Sequence, residues 1–398
     1  MAFIPKLTFA SLLVFCIAFN QSSKEKLIYV SVGSDTLPLL KEHLKVPNVK
    51  LNQEESMAVV QIPEKDIDYL SSLIHSKFGR CGGFMIEDSA EKAFEDWHKA
   101  TSLTKIQGAD FYVIDQQQKV RESIEQVDAN TIASTIQSLS NYRNRYYKSN
   151  YGIESQKWIY QTWKDLAKGF DALSVELFEH GAFPQPSVIL TWQGSELSDE
   201  VLILGGHGDS IAGWFPSSNV LAPGADDNAS GIATITEVIR VLTSQNFEPK
   251  RTIKFISYAA EEVGLRGSKE IAEKAKDEQL NVKGVMQLDM TNFMGSVNDI
   301  VLISDFTNTT QNEFLGELID EYQSELTWIL DPCGYACSDH ASWTRNGFPA
   351  SFPFESTMDT HNQHIHTSKD TIGKSEHKAI HASKFAKLAL SFLIELAS

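Results

Sequence analysis

From about Ile124 onward, short apolar runs alternate with stretches whose apolar residues recur every three or four positions. Strand-like runs fall at Ser187–Trp192, Val201–Gly205, Thr252–Tyr258, Val285–Leu288 and Ile300–Ser304. Helical spacing covers Asn130–Asn141, Glu154–Leu166, Gly231–Ser244, Ser268–Glu278, Asn312–Tyr322 and His377–Leu396. Apolar strands that alternate with helices predict an α/β unit, with a mostly parallel central sheet and helices on both faces. In such a sheet the ligand site lies at the carboxyl ends of the strands.

The chain before this unit has a different pattern. Apolar stretches at Leu27–Val32 and Met57–Ile62 and helical spacing around Asp66–Ile74 and Glu87–Ala100 predict a small α+β region. The polar stretch Gln116–Arg121 lacks apolar periodicity, offers basic cleavage points and reads as a linker. At the N-terminus, Lys6 precedes an apolar run, Leu7–Phe19, too short to span a bilayer. With small residues at Cys16 and Ala18 near its end, where a signal peptidase would cut after Ala18, this reads as an export signal. Bulky Phe15 argues against a lipid-anchored cysteine, so no stable membrane anchor is expected. The expected division is a signal at 1–18, a pro-region at 19–121 and a catalytic domain at 122–398, with the protein secreted.

Composition adds one exclusion. Among 398 residues, 42% are hydrophobic and 22% charged, an ordinary globular balance. The net charge of −17 argues against nucleic acid as a partner, because phosphate binding rests on Lys and Arg.

The candidate chemistry sits at strand ends. His207 and Asp209 follow one apolar run, Glu261 and Glu262 another, and Asp289 ends a third. Asp226 and Asp227 lie in PGADDNASG at a helix start, where Asn228 or Ser230 can cap the helix. An acidic turn alone is usually only a helix-start device, and a lone His or a Glu pair is usually solvated. Here each cluster falls on the same predicted edge. Two imidazoles and three carboxylates suit paired zinc ions. Two divalent cations against Asp226, Glu262, Asp289 and a bridging hydroxide also sum to neutrality. Glu261 and Glu262 need not both bind metal, since successive extended residues point to opposite sides. Cys333 and Cys337, in CGYAC, could form a small-loop disulfide or supply two thiolates. The exported setting favours the disulfide, and no second Cys pair supports a thiolate site. Cys81 is left over, an odd thiol in the segment expected to be discarded.

GGHGDS, PGADDNASG, YAAEEVGLRGS, LDMTN, CGYACSDHASW and IHTSKDT together resemble the secreted bacterial leucyl aminopeptidases, metallopeptidase family twenty-eight. The resemblance runs from Val127 to Ala397. It implies two zinc ions bridged by Asp226, with His207 and Asp289 completing one set of ligands and Glu262 and His366 the other. It further implies Glu261 as general base, Asp209 as the partner that fixes the His207 tautomer, and Tyr335 as an aid to the oxyanion. It places a cis peptide at Asp226–Asp227. Met290, Ile303, Phe352, Phe354 and Ile365, with Tyr335 and the cysteine pair, would wall an apolar pocket. The implied substrate is a peptide with a free N-terminus, its first residue Leu or another bulky apolar one. A basic preference stays open because Asp359 lies close by. The pro-region would be a folding aid or intramolecular inhibitor, the full chain a zymogen, and the protein a monomer. The alternatives are another zinc hydrolase or cyclase on the same fold, or a non-catalytic binding module.

Overall fold

The computed structural model describes residues 1, 25–44, 46, 49–51, 57–80, 83–102, 111–213 and 216–398. The expected export signal and Cys81 lie outside the described residues.

The N-terminal unit contains β1 (Leu27–Gly33), α1 (Leu37–His43), β2 (Val49–Leu51), β3 (Met57–Pro63), α2 (Ile67–Phe78), β4 (Phe84–Glu87) and α3 (Ala90–Ser102). Its sheet is antiparallel, in the order β2-β3-β1-β4. Period-two alternation loads both faces of β3. Ala58, Val60 and Ile62 pack with Leu70, Leu73 and Ile74 of α2. Met57 and Val59 pack on the other side with Ala90 and Ala93 of α3.

The larger unit starts earlier than the sequence suggests. The polar stretch expected to be a linker lies mostly within α4 (Gln117–Ile124), whose Val120 and Ile124 enter the main core. Two apolar residues one turn apart suffice once a neighbour covers them. Glu395 also accepts the backbone N–H groups of Asp115 and Gln116, at 2.8 and 2.9 Å. With Tyr112 in the same core, this unit begins by residue 111 rather than at residue 122.

Next come α5 (Ala129–Ser140), α6 (Asn150–Leu166), β5 (Leu173–Phe178), β6 (Ser187–Trp192), β7 (Leu197–His207), α7 (Ala229–Ser244), β8 (Arg251–Tyr258), α8 (Arg266–Asp277) and β9 (Asn281–Gln287). They are followed by β10 (Ile300–Ile303), α9 (Thr309–Tyr322), β11 (Trp328–Asp331), α10 (His340–Arg345), β12 (Ala350–Ser351), β13 (Pro353–Phe354) and α11 (Ile380–Ala397). The central sheet has the order β12-β9-β7-β8-β6-β5. Its first four strands are parallel, whereas β6 runs antiparallel to β8, and β5 to β6. A short connection from β5 to β6 permits a hairpin, where a parallel pair would need a crossover.

Alternation again decides the layers. Leu202 and Leu204 of β7 and Phe255 of β8 face the core built with α7 and α11. Val201, Ile203 and Ile256 face Ile271, Ala272 and Ala275 of α8 and Trp343 of α10. Both faces are thus covered, so the strands read as continuous apolar runs. A small second sheet, β11-β10-β13, flanks the carboxyl edge.

The N-terminal unit packs over that same edge. Tyr146, Tyr147, Phe183, Ile211, Ala259, Ala260 and Val263 of the larger unit share one apolar cluster with it. Asp68 of α2 accepts hydrogen bonds from Tyr146, Tyr147 and Lys148 at 2.9, 3.1 and 2.9 Å. Arg345 donates through both terminal nitrogens to the buried Glu87 carboxylate, at 2.7 and 2.9 Å.

Candidate metal centre and substrate pocket

His207 is the last residue of β7 and is fully buried. Its Nε2 lies 3.2 Å from Asp227 Oδ1 and 3.2 Å from Asp289 Oδ1. Across the site, His366 Nε2 lies 3.1 Å from Asp227 Oδ2 and 2.5 Å from Glu262 Oε2. Asp227 therefore presents one oxygen to each histidine. His207, Asp227 and Asp289 form one cluster of potential ligands, and Asp227, Glu262 and His366 a second. Donors around a common tetrahedral zinc, each at about 2.0–2.1 Å, stand about 3.3 Å apart, so this spacing fits the metal.

Asp227, not the expected Asp226, occupies the position between the two histidines. The Asp226 carboxylate turns away, accepting from Asn292 N at 3.1 Å and Asn362 Nδ2 at 3.0 Å. The cis peptide follows the same shift, joining Asp227 to Asn228 rather than Asp226 to Asp227. Asn228 explains which aspartate points inward. Its side-chain oxygen caps α7 through Gly231 N at 2.8 Å and accepts Met290 N at 3.2 Å, while its amide donates to Leu288 O at 3.0 Å. The cap is therefore stitched to the end of β9, and the adjacent Asp227 is set beside Asp289. The capping asparagine was the sequence signal that could have fixed this register.

Asp209 lies where the sequence places it and holds more than one group. Its Oδ1 is 3.4 Å from His207 Nδ1, and its two oxygens accept the Glu261 and Glu262 N–H groups at 3.0 and 3.3 Å. One carboxylate thus stands beside the imidazole and holds the main chain of the glutamate pair. Glu261 is fully buried, and among the described residues neither carboxylate oxygen has a hydrogen-bond partner. Its Oε2 lies 3.9 Å from His207 Nε2, so it is poised at the centre without being tied to it.

The electrostatics point the same way. Burial pushes the Glu261 carboxyl well above the usual carboxylate range, against the pull of His207. Burial likewise lifts Glu262, to about 7. Burial disfavours a charged Asp227, but hydrogen bonds from His207 and His366 outweigh it and hold that carboxyl well below its ordinary value. For His366, too, burial opposes the charge, and Glu262 and Asp227 overcome it, raising the imidazole to about 10. Five buried carboxyl groups around two imidazoles call for cations, and a bound divalent ion would reverse these proton preferences. The residues present therefore fit a metal pair.

The apolar wall is also assembled. Met290, Tyr335, Cys337, Phe352, Phe354 and Ile365 line a small cavity beside Asp289, together with Met358 and His361. Ile303 belongs to the same apolar cluster but stands behind this lining. Cys333 and Cys337 are disulfide-bonded, closing the loop that carries Tyr335. Asp359 is exposed and lines no part of the cavity. Sequence reasoning missed Met358, His361 and Ser338, whose hydroxyl donates to Asp289 Oδ2 at 2.6 Å. Ser338 stands two residues before the helix-starting His340 and carries no spacing signal of its own.

The N-terminal unit covers this centre. Ser71 of α2 donates to the Glu262 carbonyl at 2.7 Å, and the His75 ring lies 4.1 Å from that of His366. The Arg80 guanidinium lies 4.9 Å over the Tyr335 ring.

This fold and site define a peptidase: the model for Peptidase family M28 matches residues 187–391. The chain belongs to that family and is a metallo-aminopeptidase, a hydrolase of peptide bonds. It is 35% identical over 293 residues to a probable aminopeptidase of Saccharomyces cerevisiae, covering 72% of this chain and 77% of that protein. It is 36% identical over 287 residues to leucine aminopeptidase 1 of Pyrenophora teres f. teres, covering 69% and 72%. The crystal structure of the Legionella pneumophila LapA aminopeptidase superimposes with a TM-score of 0.77 at 29% identity, covering 94% of this chain and 99% of that one.

Proposed function

We propose that this chain is an exported two-zinc aminopeptidase that removes Leu or another bulky apolar residue from the free N-terminus of peptides. The observation that carries this reading is Asp227, with one oxygen 3.2 Å from His207 Nε2 and the other 3.1 Å from His366 Nε2. His207, Asp227 and Asp289 would hold one ion, and Asp227, Glu262 and His366 the other. Two bound zinc ions supply a hydroxide at neutral pH and Lewis acidity toward the scissile carbonyl.

The chain's own residues do the rest. The buried Glu261 carboxylate takes a proton from the attacking water and returns it to the leaving nitrogen. The Tyr335 hydroxyl donates to the developing oxyanion. Asp209 holds His207 in the tautomer that leaves Nε2 free to bind metal. The small cavity walled by Met290, Tyr335, Phe352, Phe354 and Ile365 opens to receive the substrate's first side chain, and its lining favours apolar residues.

The N-terminal unit acts as an intramolecular inhibitor. With α2 docked, His207, Glu261 and Glu262 are 0% exposed, and Asp227 is 1% exposed, which supports a closed resting form. The test is elemental analysis of the purified chain together with an assay on leucine-p-nitroanilide, before and after removal of the N-terminal unit. Two zinc ions per chain and activity that rises on trimming are expected. A zinc-loaded, trimmed chain with no aminopeptidase activity would overturn the reading.

A further inference from the structure

We propose that Glu355 is a positioning residue for the metal centre, binding together the three chain segments that carry Asp227, Asp289 and His366. Glu355 follows β13 directly and is fully buried. Its Oε2 accepts Phe293 N at 2.7 Å, just downstream of Asp289. Its Oε1 accepts Asn362 N at 3.1 Å, just upstream of His366. The same carboxyl is hydrogen-bonded to Asp226, the neighbour of Asp227. One side chain therefore touches all three segments.

Two further groups close the cluster. Asn362 Nδ2 donates to Asp226 Oδ2 at 3.0 Å and reaches Asp370 Oδ1 at 3.3 Å, while its Oδ1 accepts His364 N at 3.0 Å. The two oxygens of buried Asp370 accept the Asp226 and Asp227 N–H groups, each at 3.1 Å. The main chain leading into Asp227 is thus held by Asp370.

The chemistry explains why a carboxylic acid stands at position 355. Two main-chain N–H groups arrive on its two oxygens, and the Asp226 carboxylate faces it. Two carboxyl groups in hydrogen-bond contact need one shared proton, because two ionised ones would repel. A protonated Glu355 accepts both N–H groups and donates to Asp226. An apolar side chain would leave the two buried N–H groups of Phe293 and Asn362 without their acceptor and would remove one of the hydrogen bonds to Asp226. The stitch would open, and Asp227 and His366 would lose their fixed separation.

This inference rests on the two-zinc reading, and its test separates the two. Metal-free wild type, Glu355→Ala and Glu355→Gln are titrated with zinc against a fluorescent chelator, with folding checked by circular dichroism. Glu355→Ala is expected to weaken at least one zinc equivalent by about 10–100-fold, the usual cost of removing an outer-sphere partner. Glu355→Gln keeps a donor for Asp226 and one acceptor, so its affinity is expected to lie closer to wild type. Wild-type affinity in a folded Glu355→Ala overturns the positioning role. Glu355→Leu, titrated alongside, keeps the bulk without the hydrogen bonds and is expected to lose affinity as Glu355→Ala does; wild-type affinity in a folded Glu355→Leu overturns the role as well, since bulk packing would then account for the alanine loss. Failure of the wild type itself to bind two zinc ions would instead sink the metal reading.

Discussion

Asp226 and Asp227 are the same side chain in adjacent positions with opposite duties, one turned to Asn292 and Asn362, the other set between His207 and His366. Asp227→Ala is expected to lose tight binding of both zinc ions, because its two oxygens serve both clusters. Elemental analysis that finds two tightly held ions in this variant would contradict the bridge. Glu261→Gln keeps size and zinc but cannot accept a proton. Its kcat is expected to fall at least ~10²-fold with zinc content unchanged. Near-normal turnover in the zinc-loaded variant would move the base elsewhere. The ligand types and their strand-end placement were legible from spacing. The choice between two adjacent aspartates was not, because it depends on the three hydrogen bonds that Asn228 makes to Gly231, Leu288 and Met290. Glu355 was illegible for a similar reason, since its partners are main-chain groups from distant segments.

At the scale of elements, long periodic stretches such as α6, α7 and α11 were legible because one apolar face repeats over several turns. Short or half-exposed elements were not. β5 exposes one face at the sheet edge, and α4 carries only Val120 and Ile124 as its buried apolar pair. The α4 case has a consequence for trimming. A chain beginning at residue 111 keeps α4 against α11, whereas one beginning at residue 125 loses it. The shorter chain is expected to be less stable by at least about 3–6 kcal/mol, the burial of Val120 and Ile124, with Tyr112 lost in addition. Urea unfolding of the two chains checks this, and equal midpoints and slopes would show that α4 contributes nothing.

At the scale of the molecule, the N-terminal unit and the carboxyl edge meet through an apolar cluster and a buried ion pair, Arg345 with Glu87. Removing one partner of such a pair strands a buried charge and costs about 3–5 kcal/mol. Arg345→Met is therefore expected to loosen the docked unit, raise its sensitivity to protease and increase activity in the full chain. Unchanged activity and protease resistance would show that this contact does not hold the cover closed. On the proposed function, a two-ion site organised by Asp227 hydrolyses peptides from a free N-terminus. The most direct measurement is a zinc titration of the metal-free, trimmed protein with leucine-p-nitroanilide turnover as the readout. Activity that saturates at two equivalents, and is lost in Asp227→Ala, is the predicted result. Saturation at one equivalent, or turnover that survives in Asp227→Ala, would contradict it.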